Sequence, residues 1–306
     1  MSKPRRDRLK VDGWLVLDKP VGVTSTHALS IVKRLYKADK AGHAGTLDPL
    51  ASGILPLAFG EATKTVPYVM DGEKAYRFTV TWGVETNTDD SDGIMVNSSA
   101  ERPTGAQIEA ILSRFMGVIM QMPPQFSALK VQGERAYDLA RDGETVALEP
   151  REVEITLLRL VAQTEDTAIF EAECGKGTYV RALARDFGRL LGCFGHITAL
   201  RRTRVGPFSE MEAASIDALR AAGEAGPQAP DLLAMMQPVE RGLSSLSAIA
   251  IGNHEAQRLK NGQSVILRGR DAPIVLGQAY ATLNGKLIAL VDGENGELKP
   301  RRTFHL

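Results

Sequence analysis

The chain has little cysteine and no long apolar run. Its 306 residues include only Cys174 and Cys193, so at most one disulfide can form and cysteine alone cannot build a zinc site. No stretch approaches the roughly 20 apolar residues of a membrane-spanning helix. The N-terminal segment MSKPRRDRLK lacks the apolar core of a signal peptide. These absences predict a protein of the reducing cytoplasm without a membrane partner.

An excess of charge of either sign is also lacking. Lysine plus arginine and aspartate plus glutamate number 37 each, so the formal net charge is zero. Nucleic-acid-binding proteins often carry a basic surplus. Basic residues are nevertheless concentrated at 3–10, 201–204 and 299–302. Composition therefore neither requires nor excludes an RNA partner.

The signatures of several chemistries are missing. The chain has no G-x-G-x-x-G after a strand, no P-loop and no G-x-S-x-G nucleophile elbow. Its five histidines do not show the H-x-x-x-H or H-E-x-x-H spacing of zinc sites. The sequence therefore favours chemistry without a cofactor or a metal.

The apolar pattern mixes strands and helices without regular βαβ alternation. A short apolar run predicts a buried strand at 13–17, and further strands are predicted at 74–84, 153–161 and 167–174. Helical spacing predicts helices at 25–35, 104–115, 178–191 and 215–222. Ser25 and the Thr104–Gln107 pair are suited to cap two of these helices. This mixture predicts an α+β protein.

Three stretches lack such periodicity. Residues 120–150 begin with two prolines and are typical of a long excursion with a function. Residues 86–93 (TNTDDSDG) predict a polar loop, and 223–230 (GEAGPQAP) predict a linker-like break. Short strands around glycines follow from about 245. We therefore expect one domain over 1–240 and a small β-rich domain over 245–306.

The most unusual segment is GHAGTLDPLASG at 42–53. Its glycines allow tight turns and close approach to a ligand. Pro49 biases Asp48 toward an extended conformation, which would fix the direction of its carboxylate. Local physics alone favours a simple turn in which Asp48 bonds its own backbone.

The wider sequence resembles a known family. GHAGTLDPLASG and the following ILPLAFGEATK are similar to the central motif of the bacterial tRNA pseudouridine-55 synthases, the TruB family. Further similar blocks follow in the family's order: LVLDKPVGVTS (15–25), KAY (74–76), G-x-E-T-x-T-x-D-x-x-G (83–93), PPQFSALK (123–130), GKGTYVRAL (175–183) and ALRRTRVGPF (199–208). Together they span roughly 13–210, which is far more specific than one motif. The resemblance implies a pseudouridine-synthase fold, with a mixed, largely antiparallel central sheet and a PUA-like C-terminal domain.

The resemblance also implies an activity and three catalytic residues. The activity is conversion of uridine 55 in the T-loop of tRNA to pseudouridine, without a cofactor or an obligate protein partner. Asp48 matches the catalytic aspartate, which adds to C1′ or removes the 2′ proton. Arg181 matches the arginine that holds this carboxylate; spacing alone does not separate it from Arg185 and Arg189. Tyr76 matches the tyrosine that stacks on the uracil, although its strand position alone indicates a core aromatic.

Further matches concern RNA binding. Leu200 resembles the residue that packs on the other side of the uracil, and His43 the histidine that fills the space of the flipped base. Four weaker matches near the substrate are Lys19, Lys64, Tyr179 and Arg202. The stretch 120–150 resembles an RNA-binding insertion in which Lys130 contacts a phosphate.

Three alternatives remain open. One is a related synthase that depends on a guide RNA, and another is a tRNA-binding chaperone without essential turnover. The third is an unrelated carboxylate hydrolase, which would need a second acid near Asp48. Asp89, Asp90 and Asp92 could supply it, but their loop is expected to be exposed to solvent.

Overall fold

The computed structural model describes residues 8–126, 130–131, 134–135, 148–267 and 277–306. Most strands of these residues belong to a ten-stranded sheet or to a five-stranded sheet near the C-terminus. The strands, in chain order, are β1 (Gly13–Lys19), β2 (Ala41–His43), β3 (Ala51–Phe59), β4 (Lys74–Trp82), β5 (Val84–Thr86), β6 (Met95–Ser98), β7 (Gly117–Gln121), β8 (Lys130–Val131), β9 (Glu134–Arg135), β10 (Arg151–Gln163), β11 (Thr167–Cys174), β12 (Gly195–Val205), β13 (Phe208–Ser209), β14 (Ala214–Ser215), β15 (Ser247–Ala250), β16 (Val265–Ile266), β17 (Gly277–Leu283), β18 (Lys286–Glu294) and β19 (Glu297–Thr303).

Within the described residues, helices are fewer than strands, and they are short. They are α1 (Ser25–Leu35), α2 (Val66–Asp71), α3 (Gly105–Leu112), α4 (Val180–Leu190), α5 (Ile216–Ala222), α6 (Pro230–Ala234) and α7 (Asn253–Lys260). Four 3₁₀ turns accompany them at Gly60–Lys64, Ser113–Phe115, Glu210–Glu212 and Val239–Leu243. Within the described ranges, none of the helices has both the length and the apolar character to cross a membrane.

The large sheet is mixed and mainly antiparallel. Its strand order is β14-β1-β3-β12-β4-β11-β10-β7, with β2 added to β3 and β13 to β12. Among these pairs only β1–β14 and β3–β12 run parallel. The α+β architecture and the largely antiparallel sheet that the sequence predicts are confirmed.

The core of the large sheet lies between its central strands and α4. On β4, Phe78, Val80 and Trp82 are buried, as their alternation predicts. Phe170 of β11 packs 5.4 Å from Phe78 and 5.3 Å from Phe187 of α4, measured between ring centroids. Burying each such ring stabilises the fold by about 2 to 3 kcal/mol. This packing fixes α4 against the central strands of the large sheet.

Two helix starts test the capping predictions. Thr104 and Gln107 form the predicted capping box at the start of α3. The cap of α1, however, is Thr24 rather than Ser25: the Thr24 hydroxyl accepts the N–H of His27 at 3.1 Å. The hydroxyl of Ser25 is instead used in a long-range contact with Leu47, described below.

The predicted break at 223–230 is a turn between α5 and α6, but it stays attached to the domain. Ala229 and Leu232 are buried in the core of the large sheet, and the Tyr36 hydroxyl donates to the Leu232 carbonyl at 2.7 Å. The glycines and prolines of this stretch turn the chain back onto α1 and do not release it from the domain.

The C-terminal sheet is a separate β-rich layer. Its order is β15-β17-β18-β19-β16, and α7 packs against it. It contacts the larger part through a buried cluster in which Leu290 and Phe304 join Trp14 and Val16. A small β-rich C-terminal unit is confirmed; the boundary between 240 and 245 stays a prediction.

Candidate active site

A cavity of about 330 Å³ lies between the 45–48 loop, the start of α4 and the ends of β4 and β12. It brings together six of the residues that the sequence predicts as functional. These are Asp48, Tyr76, Tyr179, Arg181, Leu200 and Arg202. They come from four separate chain segments, so the cavity depends on the tertiary fold.

Asp48 and Arg181 form an ion pair in this cavity. The Nε of Arg181 lies 3.0 Å from Oδ2 of Asp48. The Asp48 side chain is 39% exposed, whereas that of Arg181 is 7% exposed. The carboxylate therefore keeps access to a substrate while its partner is fixed behind it.

The rest of the Arg181 guanidinium is held by the protein. Its Nη1 donates to the Thr88 carbonyl at 3.0 Å and contacts Oδ2 of Asp90 at 3.3 Å. Its Nη2 donates to the Phe126 carbonyl at 3.0 Å. Because a guanidinium is planar, these contacts fix the direction in which Nε presents its hydrogen to Asp48.

The expectation that Asp89 and Asp90 are exposed is wrong. Their relative exposures are 5% and 3%, and only Asp92 of the three is exposed. Asp90 contacts Arg181, and Asp89 lies 3.0 Å from Nη1 of Arg185. Burial raises the pKa of the Asp89 carboxyl to about 6, although Arg185 opposes the shift, and raises the pKa of Asp90 as well.

Three arginines on α4 explain this burial. Arg181, Arg185 and Arg189 recur every four residues and so face the same acidic segment. Arg189 makes a two-pronged contact with Glu85 at 2.8 and 2.9 Å. In the sequence, the only sign of these buried ion pairs is that the acidic residues of 85–90 and the arginines of α4 have similar spacing. The buried carboxylate of Asp90 is directed at Arg181, which does not fit the second acid of a hydrolase.

Arg202 anchors the loop that carries Asp48. Its side chain is buried, and it donates to the carbonyls of Ile54 at 2.8 Å, Gly45 at 3.0 Å and Thr46 at 3.4 Å. Gly45 has φ +98°, a conformation that favours glycine. Burial lowers the pKa of Arg202, but an arginine starts so high that it remains charged.

Lys19 and Ser25 hold the same loop from the other side. The buried ammonium of Lys19 donates to the carbonyls of Pro20 at 2.9 Å and Val23 at 2.7 Å, and reaches that of Pro49 at 3.5 Å. Burial lowers its pKa to about 8. The Ser25 hydroxyl exchanges hydrogen bonds with the backbone of Leu47 at 2.8 and 2.9 Å. Lys19 is thus placed beneath the loop and not among the residues that line the cavity.

Tyr76 and Leu200 form part of the cavity wall. Tyr76 of β4 pairs with Arg202 of β12, and Leu200 pairs with Phe78 one step along the same face. Burial raises the pKa of the Tyr76 hydroxyl, and the nearby guanidinium of Arg202 only partly opposes this. At neutral pH the ring is therefore an uncharged phenol in the same cavity as the Asp48 carboxylate.

The remaining predicted residues lie elsewhere. His43 ends β2; its Nδ1 finds no hydrogen-bond partner in the described part of the chain, and burial lowers its pKa. Lys64 contacts Glu61 at 2.6 Å and the Thr303 carbonyl at 2.8 Å, at the contact with the C-terminal sheet. Lys130 belongs to β8, but its side chain lies outside the described residues. Their RNA-binding roles stay predictions.

Lys74 is a cavity residue that the sequence analysis did not single out. It lines the cavity beside Tyr76, and its ammonium donates to the carbonyls of Met70 and Gly72. Burial lowers its pKa to about 8. Lys74 belongs to the KAY block at 74–76, but the resemblance implies a role only for Tyr76 of that block.

A second cavity, of about 540 Å³, adjoins the first through Leu200. It is lined by the exposed face of β4 and β12 and by Asp92, and it does not include Asp48 or Arg181. Among the described residues, no three histidine, cysteine or acidic side chains are grouped as metal ligands would be. The smaller cavity, which holds the Asp48–Arg181 ion pair, is therefore the candidate site.

Two family models match adjoining parts of the chain. The one described as TruB family pseudouridylate synthase (N terminal domain) matches residues 33–180. The one described as tRNA pseudouridylate synthase B C-terminal domain matches residues 181–244. The boundary between the two matches lies between residues 180 and 181. Asp48 is therefore covered by the first model and Arg181 by the second.

Curated relatives match the whole chain. A protein of Rhodopseudomonas palustris named tRNA pseudouridine synthase B is 60% identical over 100% of this chain and 84% of its own length. One of the same name from Rhizobium etli is 56% identical over 99% of this chain and 100% of its own length.

Solved structures share the fold at low identity. A chain of an H/ACA RNP bound to a substrate RNA containing 2′-deoxyuridine aligns with a TM-score of 0.75 and 22% identity. A chain of a Cbf5–Nop10–Gar1 complex aligns with a TM-score of 0.74 and 24% identity. Each alignment covers 96% of this chain and 85% of the other. At such identities the likeness concerns the fold alone.

Proposed function

The chain belongs to the TruB family of pseudouridylate synthases, which are isomerases, and we propose that it converts uridine 55 in the T-loop of tRNA to pseudouridine. The observation that carries the proposal is the Asp48–Arg181 ion pair in a cavity walled by Tyr76 and Leu200. The names of the 56–60% identical relatives support tRNA as the substrate.

The reaction requires one well-placed carboxylate and no redox step. The N1–C1′ bond of the uridine breaks, the uracil turns, and a C5–C1′ bond forms. The proton on C5 leaves and N1 gains one, so that the atoms balance without a cofactor. Asp48 either adds to C1′ and later leaves, or removes the 2′ proton to give a glycal and returns it when the C5–C1′ bond forms. Both routes need the carboxylate beside the sugar.

The other cavity residues then act on the base. A uracil in this cavity would lie between the Tyr76 ring and Leu200 after it has left the RNA stack, a step that costs a few kcal/mol. Because the raised pKa of Tyr76 keeps its hydroxyl protonated, the tyrosine serves as a stacking surface and as a hydrogen-bond donor. His43, with a lowered pKa, is an uncharged ring suited to fill the space that the base leaves in the RNA.

We further propose that the protein acts alone on tRNA in the cytoplasm. Dependence on a guide RNA is the second candidate, because chains of H/ACA assemblies share the fold. The relatives named tRNA pseudouridine synthase B are much more similar in sequence, at 56–60% identity against 22–24%, which favours the stand-alone enzyme. Retention of Asp48 and Arg181 as a formed ion pair favours turnover over a purely chaperoning role.

Release of tritium tests the proposal directly. Purified protein is incubated with unmodified tRNA labelled at uridine C5, and the modified position is mapped by carbodiimide-dependent stops of reverse transcription. We expect release with a single stop at position 55 and no release with Asp48→Asn. If the protein binds tRNA but releases tritium only when a guide RNA is added, the stand-alone proposal fails.

A further inference from the structure

Gln121 is a buried polar residue on a strand whose apolar side chains are partly exposed. It ends β7, an edge strand of the large sheet, on which Val118 and Met120 are exposed while Gln121 is 2% exposed. A buried amide that lacks hydrogen bonds destabilises a protein by about 1 to 3 kcal/mol. Its burial in place of a neighbouring apolar side chain therefore indicates a specific use.

The Gln121 amide binds both backbone groups of Tyr179. The N–H of Tyr179 donates to Oε1 of Gln121 at 2.8 Å, and Nε2 of Gln121 donates to the Tyr179 carbonyl at 3.1 Å. Exchanging the amide oxygen and nitrogen would set donor against donor in the first contact and acceptor against acceptor in the second. The orientation of the amide is therefore determined by its two contacts.

Tyr179 lies where the chain has little stiffness of its own. It follows the turn Gly175-Lys176-Gly177, in which Gly177 has φ +86° and an added Cβ would meet no atom within 4 Å. Tyr179 itself is extended, at φ −102° and ψ 108°, and it is the cap of α4 without a side-chain capping bond. The Gln121 amide adds two contacts to this backbone, beside the Thr178 hydroxyl that donates to the Gly175 carbonyl at 3.2 Å and the Leu183 N–H that donates to the Tyr179 carbonyl at 3.3 Å.

The constrained residue lines the catalytic cavity. The backbone angles of Tyr179 set the direction of its side chain, which contributes to the wall, and Arg181 follows two residues later. Gln121 itself is not among the lining residues. We propose that Gln121 is a positioning residue of the reaction, which acts by holding Tyr179 in its place in the cavity.

Two measurements test this inference. The kinetic measurement rests on the proposed function, whereas the measurement of amide hydrogen exchange does not. Gln121→Met keeps the length of the side chain and removes both hydrogen bonds. Tyr36→Phe is the matched control, because it also removes one buried side-chain hydrogen bond to a backbone carbonyl, that of Leu232, away from the cavity. Single-turnover rates at saturating enzyme and dissociation constants for tRNA are measured for both.

We expect Gln121→Met to lower the single-turnover rate at least tenfold with a dissociation constant within twofold, and Tyr36→Phe to leave both unchanged. In a Tyr179→Ala background, Gln121→Met should cost at most threefold more, because the side chain that the amide positions is gone although its two backbone contacts remain. Equal rates for Gln121→Met and wild type, or full additivity with Tyr179→Ala, would overturn the proposal.

Amide hydrogen exchange supplies an arm that needs no substrate. The Tyr179 N–H should exchange at least tenfold faster in Gln121→Met than in wild type, and at the wild-type rate in Tyr36→Phe. Unchanged exchange in Gln121→Met would overturn the proposal even if the rate fell. A wild-type protein that releases no tritium would instead contradict the proposed function, while the exchange arm still decides the role of Gln121.

Discussion

Asp48 and Asp90 are bridged by a single guanidinium. Arg181 contacts Asp48 through Nε at 3.0 Å and Asp90 through Nη1 at 3.3 Å. Asp48 is partly open to the cavity, whereas Asp90 is buried behind the arginine. The buried Asp90 thus holds Arg181 from behind, and Arg181 orients Asp48. We therefore expect substitutions of Asp48, Arg181 and Asp90 to affect turnover to different extents.

Asp48→Asn should lower turnover at least a thousandfold. The amide keeps the shape of the side chain but can neither add to C1′ nor accept the 2′ proton. The tRNA dissociation constant should stay within about threefold, because a single neutralised charge beside RNA changes binding little. Tritium release and filter binding measure the two quantities. A loss of tRNA binding would show that Asp48 serves affinity and would contradict the assignment.

Arg181→Ala should lower the rate about a hundredfold or more while affinity changes little. Arg181→Lys should recover only part of this, because one ammonium cannot replace contacts to Asp48, Thr88, Asp90 and Phe126 at once. Circular dichroism checks that the variants fold. A tenfold weaker complex with unchanged turnover would assign Arg181 to binding.

Asp90→Asn should slow turnover about tenfold. It keeps the shape of the side chain but removes the buried charge that faces Arg181. Asp92→Asn is the matched control, since Asp92 lies in the same loop but is exposed. Single-turnover rates compare the two variants. Equal rates for Asp90→Asn and Asp92→Asn would mean that Asp48 alone suffices to orient the guanidinium.

Much of the fold was predictable because it rests on local patterns. The alternation along β4 gave its buried face, Thr104 with Gln107 gave the start of α3, and the apolar stripe of α4 gave that helix within two residues. The predicted cap of α1, Ser25, lies one position after the observed cap, Thr24. Serine and threonine both cap helices well, so the sequence does not distinguish these neighbours.

The electrostatic part of the site was not predictable in this way. A run such as Asp89-Asp90-Ser91-Asp92 is usually solvated, and arginines spaced by four usually line an exposed helix face. The two runs neutralise each other only because the sheet brings α4 beside the 85–90 segment. Nor does a sequence show that the ammonium of Lys19 is turned into the protein, toward backbone carbonyls.

Lys19 should give the folded protein a distinct response to alkaline pH. Its folded pKa is about 8, against an ordinary value of 10.5. Between these values the unfolded chain binds a proton that the folded chain has released, so stability from this group rises with pH. The slope is at most about 1.4 kcal/mol per pH unit, and below pH 8 the contribution is constant.

The Lys19→Met variant isolates this contribution, because Lys74 titrates in the same range in both proteins. Urea unfolding at pH 7.5 to 10.5 should show a free energy of unfolding that increases more steeply in wild type than in the variant. Parallel curves would mean that Lys19 has the same pKa in the folded and unfolded protein, which would contradict the lowering that its burial causes.

Lys64 has two possible roles, which a substitution can distinguish. The sequence match places it near the substrate, whereas the structure shows its ammonium bonded to Glu61 and the Thr303 carbonyl, 5.4 Å from the centre of the Phe304 ring. If it serves this contact, Lys64→Met should lower the free energy of unfolding by about 1 to 2 kcal/mol. The salt dependence of tRNA affinity should not change, because no phosphate contact is lost. If stability is unchanged and the salt slope falls by about one, the ammonium contacts a phosphate when RNA binds, and the contact with Thr303 is given up in the complex.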